Sequence, residues 1–174
     1  MAGTLAQSLR KRLAQYDGRA TTILGEIEAE FGGGTDYLRS LIDLAADPDG
    51  NTADGATWLL KAAIEAGTAI ELDQVDALFA QLPQVRSWPA QLHLCQSVRY
   101  LPISTSSAAG LADWLKPLLN HERPFLRAWS LDALGRLARE HPKYDARFGI
   151  ALQAAEQDTA ASVRARARNL GRGA

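Results

Sequence analysis

The sequence predicts an all-α fold of about ten short helices, and three observations lead to this prediction. Apolar residues recur at steps of three and four almost throughout the chain, which is the spacing of one helix face. Runs that alternate apolar and polar residues, as β-strands do, are absent. Helical segments in the second half recur at an interval of 36 to 37 residues. A chain of 174 residues can form a single core, so one domain is predicted over residues 1–174.

Residues 1–72 are predicted to form four helices of irregular spacing. Their apolar stripes are Leu5, Leu9 and Leu13; Ile23, Leu24, Ile27 and Phe31; Leu38, Leu41 and Ile42; and Trp58, Leu59, Ala62 and Ala63. Three glycines, Gly32–Gly34, end the second helix because glycine leaves the backbone free to turn. The segment DPDGNTADG, residues 47–55, is dense in turn-forming residues and is predicted to be a loop.

Residues 73–172 show more regular helices. Asp73 is predicted to cap a helix that ends before Pro83. Pro89 suits the first turn of the following helix, where no amide donor is needed, and that helix runs to about Leu101. The remaining helices are predicted at 107–120, from Pro124 to His141, and at about 143–157 and 160–171.

Two segments, LRAWSLDALGRLA (126–138) and DTAASVRARARNLG (158–171), carry related patterns. They resemble the HEAT repeat, in which a turn Asp precedes Val-Arg, small residues and Ala-Leu-Gly. The matching residues are Asp158, Val163, Arg164, Ala167, Leu170 and Gly171, and, in the earlier copy, Leu126, Arg127, Ala133, Leu134 and Gly135. The earlier copy has Asn120 or His121 in place of the turn Asp. The resemblance is clearest over residues 121–172 and implies a right-handed α-α superhelix of stacked helix pairs.

One charged residue falls among the leucines of the helix that begins at Pro124. At about 100° per residue, Arg127 points into the same arc as Leu126, Leu131 and Leu134. An unpaired charge there would be costly, so Arg127 is predicted to bond an acidic or carbonyl group. In HEAT repeats the equivalent arginine does this between neighbouring repeats, and the resemblance implies the same for Arg164.

The opposite arc of that helix gives the candidate binding residues. It carries Phe125, Trp129, Asp132 and Arg136. In a HEAT solenoid the second helix of each pair lines the concave surface, so the resemblance places these side chains in the groove. The equivalents in the neighbouring repeats are His93, Gln96, Tyr100, Arg166 and Asn169. In the alternative interpretation, Trp129 packs against a loop or a second copy, and Asp132 and Arg136 form a surface ion pair.

Composition narrows the classes of function. The net charge is −1 and the pI about 6.3, which does not suggest a general affinity for nucleic acid. The charge is uneven, because residues 121–174 hold ten Lys/Arg against six Asp/Glu. One cysteine, Cys95, rules out an intramolecular disulfide and fits a reducing compartment. No apolar run approaches the length of a membrane span, and the N-terminus lacks a signal-peptide pattern, so a cytoplasmic protein is expected.

No motif indicates an enzyme. The acidic residues of 47–55 lack the remaining ligands of a calcium loop, and His93 and Cys95 diverge on a helix. The leading hypothesis is therefore a non-enzymatic HEAT-like scaffold that holds a protein or peptide in its groove, without cofactor or metal. The alternative is a DNA-binding or DNA-repair protein resembling HEAT-like alkylpurine DNA glycosylases, with Trp129 and Asp132 near an extruded base. Association of two copies is a third hypothesis.

Overall fold

The computed structural model describes residues 2–172 of the chain. This described part contains ten α-helices and three short 3-10 turns and no strand, which confirms the all-α class. The helices are α1 Ala2–Leu13, α2 Thr22–Phe31, α3 Thr35–Leu44, α4 Gly50–Glu65, α5 Leu72–Gln81, α6 Trp88–Ser97, α7 Thr105–Leu118, α8 Pro124–Glu140, α9 Asp145–Glu156 and α10 Ala161–Gly171. Among the described residues, no helix combines the length and apolarity needed to cross a bilayer.

The loop prediction for residues 47–55 is wrong over its second half, because α4 begins at Gly50. Asp49 is the N-cap of α4, and its Oδ2 accepts a hydrogen bond from the Thr52 amide at 3.0 Å. The turn-forming residues of this segment therefore start a helix. Gly55 then lies inside α4, where a Cβ would stand 2.8 Å from the side chain of Leu13.

The predicted cap of α5 is also misplaced by two residues. Glu71 is the N-cap, and its amide donates to Gln74 Oε1 at 3.1 Å, while Asp73 lies in the first turn. The other predicted boundaries agree with the helices within a few residues. α7 begins two residues earlier than predicted because the Ser104 hydroxyl caps it by accepting from the Ser107 amide at 3.1 Å.

The first of two compact units comprises Met1–Leu94. In it, α1 packs against α2, α3 and α4, and α5 packs against α3. Its largest fully buried side chains are Leu9, Leu13, Leu24, Ile27, Leu41, Ile42, Leu59, Leu60, Leu78 and Leu82. The boundary with the second unit falls within α6. The single domain over 1–174 stays a prediction.

The second unit comprises Cys95–Ala174, and α8 is its central helix. α8 packs against α7, α9 and α10, and its leucines are buried, including Leu126, Leu134 and Leu137 at 0% exposure. Gly135 allows the Phe148 ring of α9 to approach closely, since a Cβ there would lie 3.0 Å from that ring. α8 is thereby fixed on several sides, and its remaining face carries the candidate site.

Candidate functional site

Arg127 has the structural role predicted for it. Its Nε and Nη2 each donate to a carboxylate oxygen of Asp158 at 2.8 Å, and its Nη1 donates to the His121 carbonyl at 2.7 Å. The hydrogen bond from Arg127 holds the pKa of Asp158 below its usual range. Arg164 donates to the carbonyls of Asp158 at 2.6 Å and Thr159 at 2.9 Å. Both arginines therefore bond acidic or carbonyl groups, as predicted, and serve to fix the start of α10.

A second group of charges surrounds Trp129. We call Arg99, Trp129, Asp132 and Arg166 the indole–arginine cluster; all four lie in the second unit. Asp132 is only 3% exposed. Its Oδ1 accepts from Arg166 Nη1 at 3.2 Å, and its Oδ2 lies 3.9 Å from Arg99 Nε. A carboxylate this deeply buried needs such partners, so Asp132 fixes the two guanidinium groups in place.

The same two arginines contact the indole. The guanidinium carbon of Arg166 lies 4.0 Å from the Trp129 ring centroid, and that of Arg99 lies 5.6 Å from it. Both distances allow a cation–π attraction, which is strongest for tryptophan. Each arginine therefore binds the acid and the ring at once. The indole is half-buried and lies against both guanidinium groups.

Arg136 does not join this cluster. It forms an ion pair with Glu140, one turn further along α8, and its Nη2 lies 3.5 Å from the Leu101 carbonyl. Glu140 in turn accepts from the Ile103 amide at 2.8 Å. The alternative interpretation, an ion pair between Asp132 and Arg136, is therefore wrong, because each residue has a different partner. Arg136 fastens the segment before α7 to α8.

The outer predicted residues differ in exposure. Phe125 is 62% exposed and Tyr100 is 53% exposed, and the Tyr100 ring centroid lies 5.6 Å from the Arg99 guanidinium carbon. Gln96 is half-buried and Asn169 is exposed. Tyr100 thus lies beside the cluster, and Phe125 precedes Trp129 by one turn of α8.

His93 belongs to the first unit and has a structural environment there. Its Nδ1 lies 3.1 Å from the Thr57 hydroxyl, which also donates to the Ala53 carbonyl at 2.8 Å. The tautomer of the imidazole sets which of the two atoms donates in this contact. Burial, with a smaller contribution from Lys61, lowers the pKa of His93 to about 4.

Arg99 is the residue that sequence reasoning missed. It lies in the 3-10 turn Val98–Tyr100 that follows α6, where the rotation of 100° per residue no longer holds. A shift of 36 residues pairs it with Gly135, so the repeat gave no signal. Its side chain is 40% exposed and makes no hydrogen bond with any described residue. Most of its five N–H donors are therefore free to meet a ligand.

No family model, curated protein or solved structure matches this chain significantly. The described residues contain no group of three or more His, Cys, Asp or Glu side chains placed to hold a metal ion. Cys95 is fully buried, and that burial raises the pKa of its thiol.

Proposed function

We propose that this chain is a non-enzymatic, HEAT-like binding module that holds a protein or peptide at the indole–arginine cluster. The observation that carries the proposal is the indole of Trp129, held by two guanidinium groups that share one buried carboxylate. Trp, Tyr and Arg are the residues that most often dominate binding energy at interfaces. A side chain already fixed in place loses little entropy on binding, which favours affinity.

The charges of the cluster favour an acidic partner segment. Arg99 and Arg166 carry two positive charges, and Asp132 supplies one negative charge at 4% side-chain exposure. The accessible part of the cluster is therefore positive. A carboxylate of the partner would meet the free donors of Arg99, while an apolar or aromatic side chain beside it would pack on Trp129 and Tyr100.

The geometry gives less support to the DNA-repair alternative. That reading needs Asp132 to reach a nucleotide, yet its carboxylate is buried and both oxygens face arginines. Arg168 and Arg172 of the last helix are exposed and are the residues best placed to meet phosphates.

Site-specific photo-cross-linking in the source cells tests the proposal. A benzophenone amino acid is placed at Tyr100 or, separately, at Phe125, both of which are exposed enough to accept it without unfolding. We expect both positions to capture the same partner protein. Arg99→Ala should reduce that capture by at least about tenfold, because it removes free guanidinium donors from the surface.

Two controls give the experiment its meaning. Leu72 is 48% exposed in the first unit, and a probe there should not capture that partner. Arg139 is an exposed arginine of α8, the helix that carries Trp129, but it lies outside the cluster. Arg139→Ala should therefore leave capture unchanged. Equal capture at Leu72, or capture that is indifferent to Arg99→Ala, would reject the cluster as the binding site.

A further inference from the structure

The second unit contains a groove on a different part of its surface. α7 and α9 each pack against α8 but not closely against each other, and this leaves a cavity of about 340 Å³. α9 faces it with a stripe at helical spacing, formed by Arg147, Ile150, Ala151, Ala154 and Ala155. The volume lies at the lower end of the range for small-molecule sites.

The walls of this groove are largely apolar. Leu119 from the end of α7, Leu131 from α8 and Val163 from α10 line it together with the α9 stripe. The alanines of α9 do not extend far enough to fill the space between the helices. Ile150 at the rim is 72% exposed, an unusual position for a large aliphatic side chain with no partner to cover it.

The cations of the groove lie at one end. Arg147 Nη2 is 3.9 Å from Asp113 Oδ1, and Lys116 follows Asp113 by three residues on α7. Residues three apart are neighbours on a helix surface, so Lys116 and Arg147 lie at the same end. Beyond the C-terminal end of α9, Arg127 and Asp158 also line the groove but neutralise each other. With the exposed carboxylate of Asp113 included, this end carries a net charge of +1 and is followed by an apolar channel.

We propose that this groove binds an aliphatic carboxylate of medium chain length. The carboxylate lies between Lys116 and Arg147, and the chain runs along the alanine face of α9. The volume suits one such molecule, and the pair of cations at one end suits its single charge. The site shares no residue with the indole–arginine cluster and is independent of the function proposed there.

Isothermal titration of the whole chain with sodium decanoate tests this site. We expect saturable binding of one molecule per chain. Ile150→Asp places a like charge at the rim, and Ala154→Phe fills the channel; each should weaken binding at least about tenfold. Lys116→Gln combined with Arg147→Gln should weaken it about tenfold by removing both cations. Ile150 and Ala154 are exposed, so circular dichroism and the melting temperature should show an intact fold.

Gln153→Asp is the matched control, because it adds the same charge to an exposed position of α9 that does not line the groove. It should bind decanoate as the wild type does. Absence of saturable binding would overturn the proposal, as would tight binding by the Ile150→Asp or the Lys116→Gln/Arg147→Gln variant. A wild-type dimer in light scattering that Ile150→Asp dissociates, without decanoate binding, would instead make the groove an interface between copies.

Discussion

Asp132 and Asp158 show how the surroundings of single residues distinguish the proposed binding surface from a structural ion pair. Both carboxylates meet arginines, but Asp158 receives two direct hydrogen bonds from Arg127, which also binds a backbone carbonyl. Asp132 instead holds two arginines that keep part of their donor capacity, one of them without any hydrogen bond to the described residues. The first arrangement closes a turn, while the second leaves charge available to a partner.

The lowered pKa of His93 predicts that the free energy of unfolding depends on pH. Its folded-state pKa is lowered to about 4 from an ordinary value of 6.5. The unfolded chain therefore takes up the proton first as the pH falls, so stability present above 6.5 is lost as the pH approaches 4. His93→Gln removes this titration. Between about pH 7 and 4.5 the variant should lose less free energy of unfolding than the wild type, by at most about 2.5 kcal/mol.

Urea unfolding across that pH range measures this difference. At about pH 8 the imidazole is neutral in both states, so a comparison there isolates the packing effect of the substitution from its charge effect. Parallel pH profiles of the wild type and the variant would show that His93 does not titrate with folding.

The residue scale also shows how far sequence reasoning reaches. Arg127 was predictable because helical rotation places it among leucines, where a charge requires a partner. Trp129, Asp132 and Arg166 were predicted on one surface, but their contacts with one another were not predicted. Arg99 was missed altogether, because a 3-10 turn carries it to the indole. The ion pair of Arg136 was also missed. Glu140, four residues later on the same helix, binds Arg136 in place of Asp132.

At the scale of elements, the junction between α9 and α10 depends on Asp158. Its side chain is 14% exposed, pairs with Arg127 and accepts from the Ala160 amide at 2.8 Å. Asp158→Asn should lower the free energy of unfolding by about 1–3 kcal/mol at neutral pH, because it leaves a partly buried guanidinium without its counter-charge. The lowered pKa of Asp158 means that this stability is present above about 3.8 and is lost as the pH falls further.

Denaturation at neutral pH and at about pH 2.5 checks both parts, since the difference in free energy of unfolding between the variant and the wild type should be smaller at the lower pH. Asp113→Asn is the matched control. It removes the carboxylate partner of another arginine, Arg147, but at 82% side-chain exposure, and should change stability little. An equal effect of the two substitutions would mean that burial does not strengthen the Asp158 pair.

Another contact between elements is the approach of α1 and α2 to α4 at Gly55. A Cβ there would lie 2.8 Å from Leu13 and 3.2 Å from Leu24, and both leucines are fully buried. Gly55→Ala should therefore destabilise the first unit by about 1–2 kcal/mol, despite the better helix propensity of alanine. Gly25→Ala in α2 meets no atom within 4 Å and should stabilise by about 0.5–1 kcal/mol. Opposite signs in urea unfolding are the expected result.

The positions of most helices could be predicted from the sequence, because each depends on local apolar spacing and local caps. The start of α4 was not, because Asp49 and the glycines around it suit a loop as well as a cap. Only the burial of Gly55 against Leu13 and Leu24 distinguishes these outcomes, and those contacts span 42 and 31 residues of sequence.

At the scale of the whole molecule, the charge is divided between the two compact units. Residues 1–94 hold seven Lys/Arg against thirteen Asp/Glu, and residues 95–174 hold twelve against seven. The balances are therefore −6 and +5. The sequence alone showed the basic C-terminal part but not the boundary between the two units. That boundary lies within α6, whose apolar spacing is continuous and where the composition does not change.

This division bears on the nucleic-acid alternative, because phosphate binding requires arginines that are free. In the second unit Arg127, Arg136, Arg164 and Arg166 already bind carboxylates or carbonyl oxygens. These four are a third of the twelve Lys/Arg of that unit, and the acidic first unit adds a repulsive charge. We therefore expect a 20-bp duplex to bind more weakly than about 10 µM at physiological salt.

Fluorescence anisotropy at about 50 and 200 mM NaCl measures this binding, because the loss of affinity between these concentrations reports the number of phosphates contacted. One or two contacts, such as Arg168 and Arg172 can supply, give a small loss. A loss of about 10³-fold or more would require six or more phosphate contacts. Such a result would favour the DNA-binding alternative over a peptide-binding module.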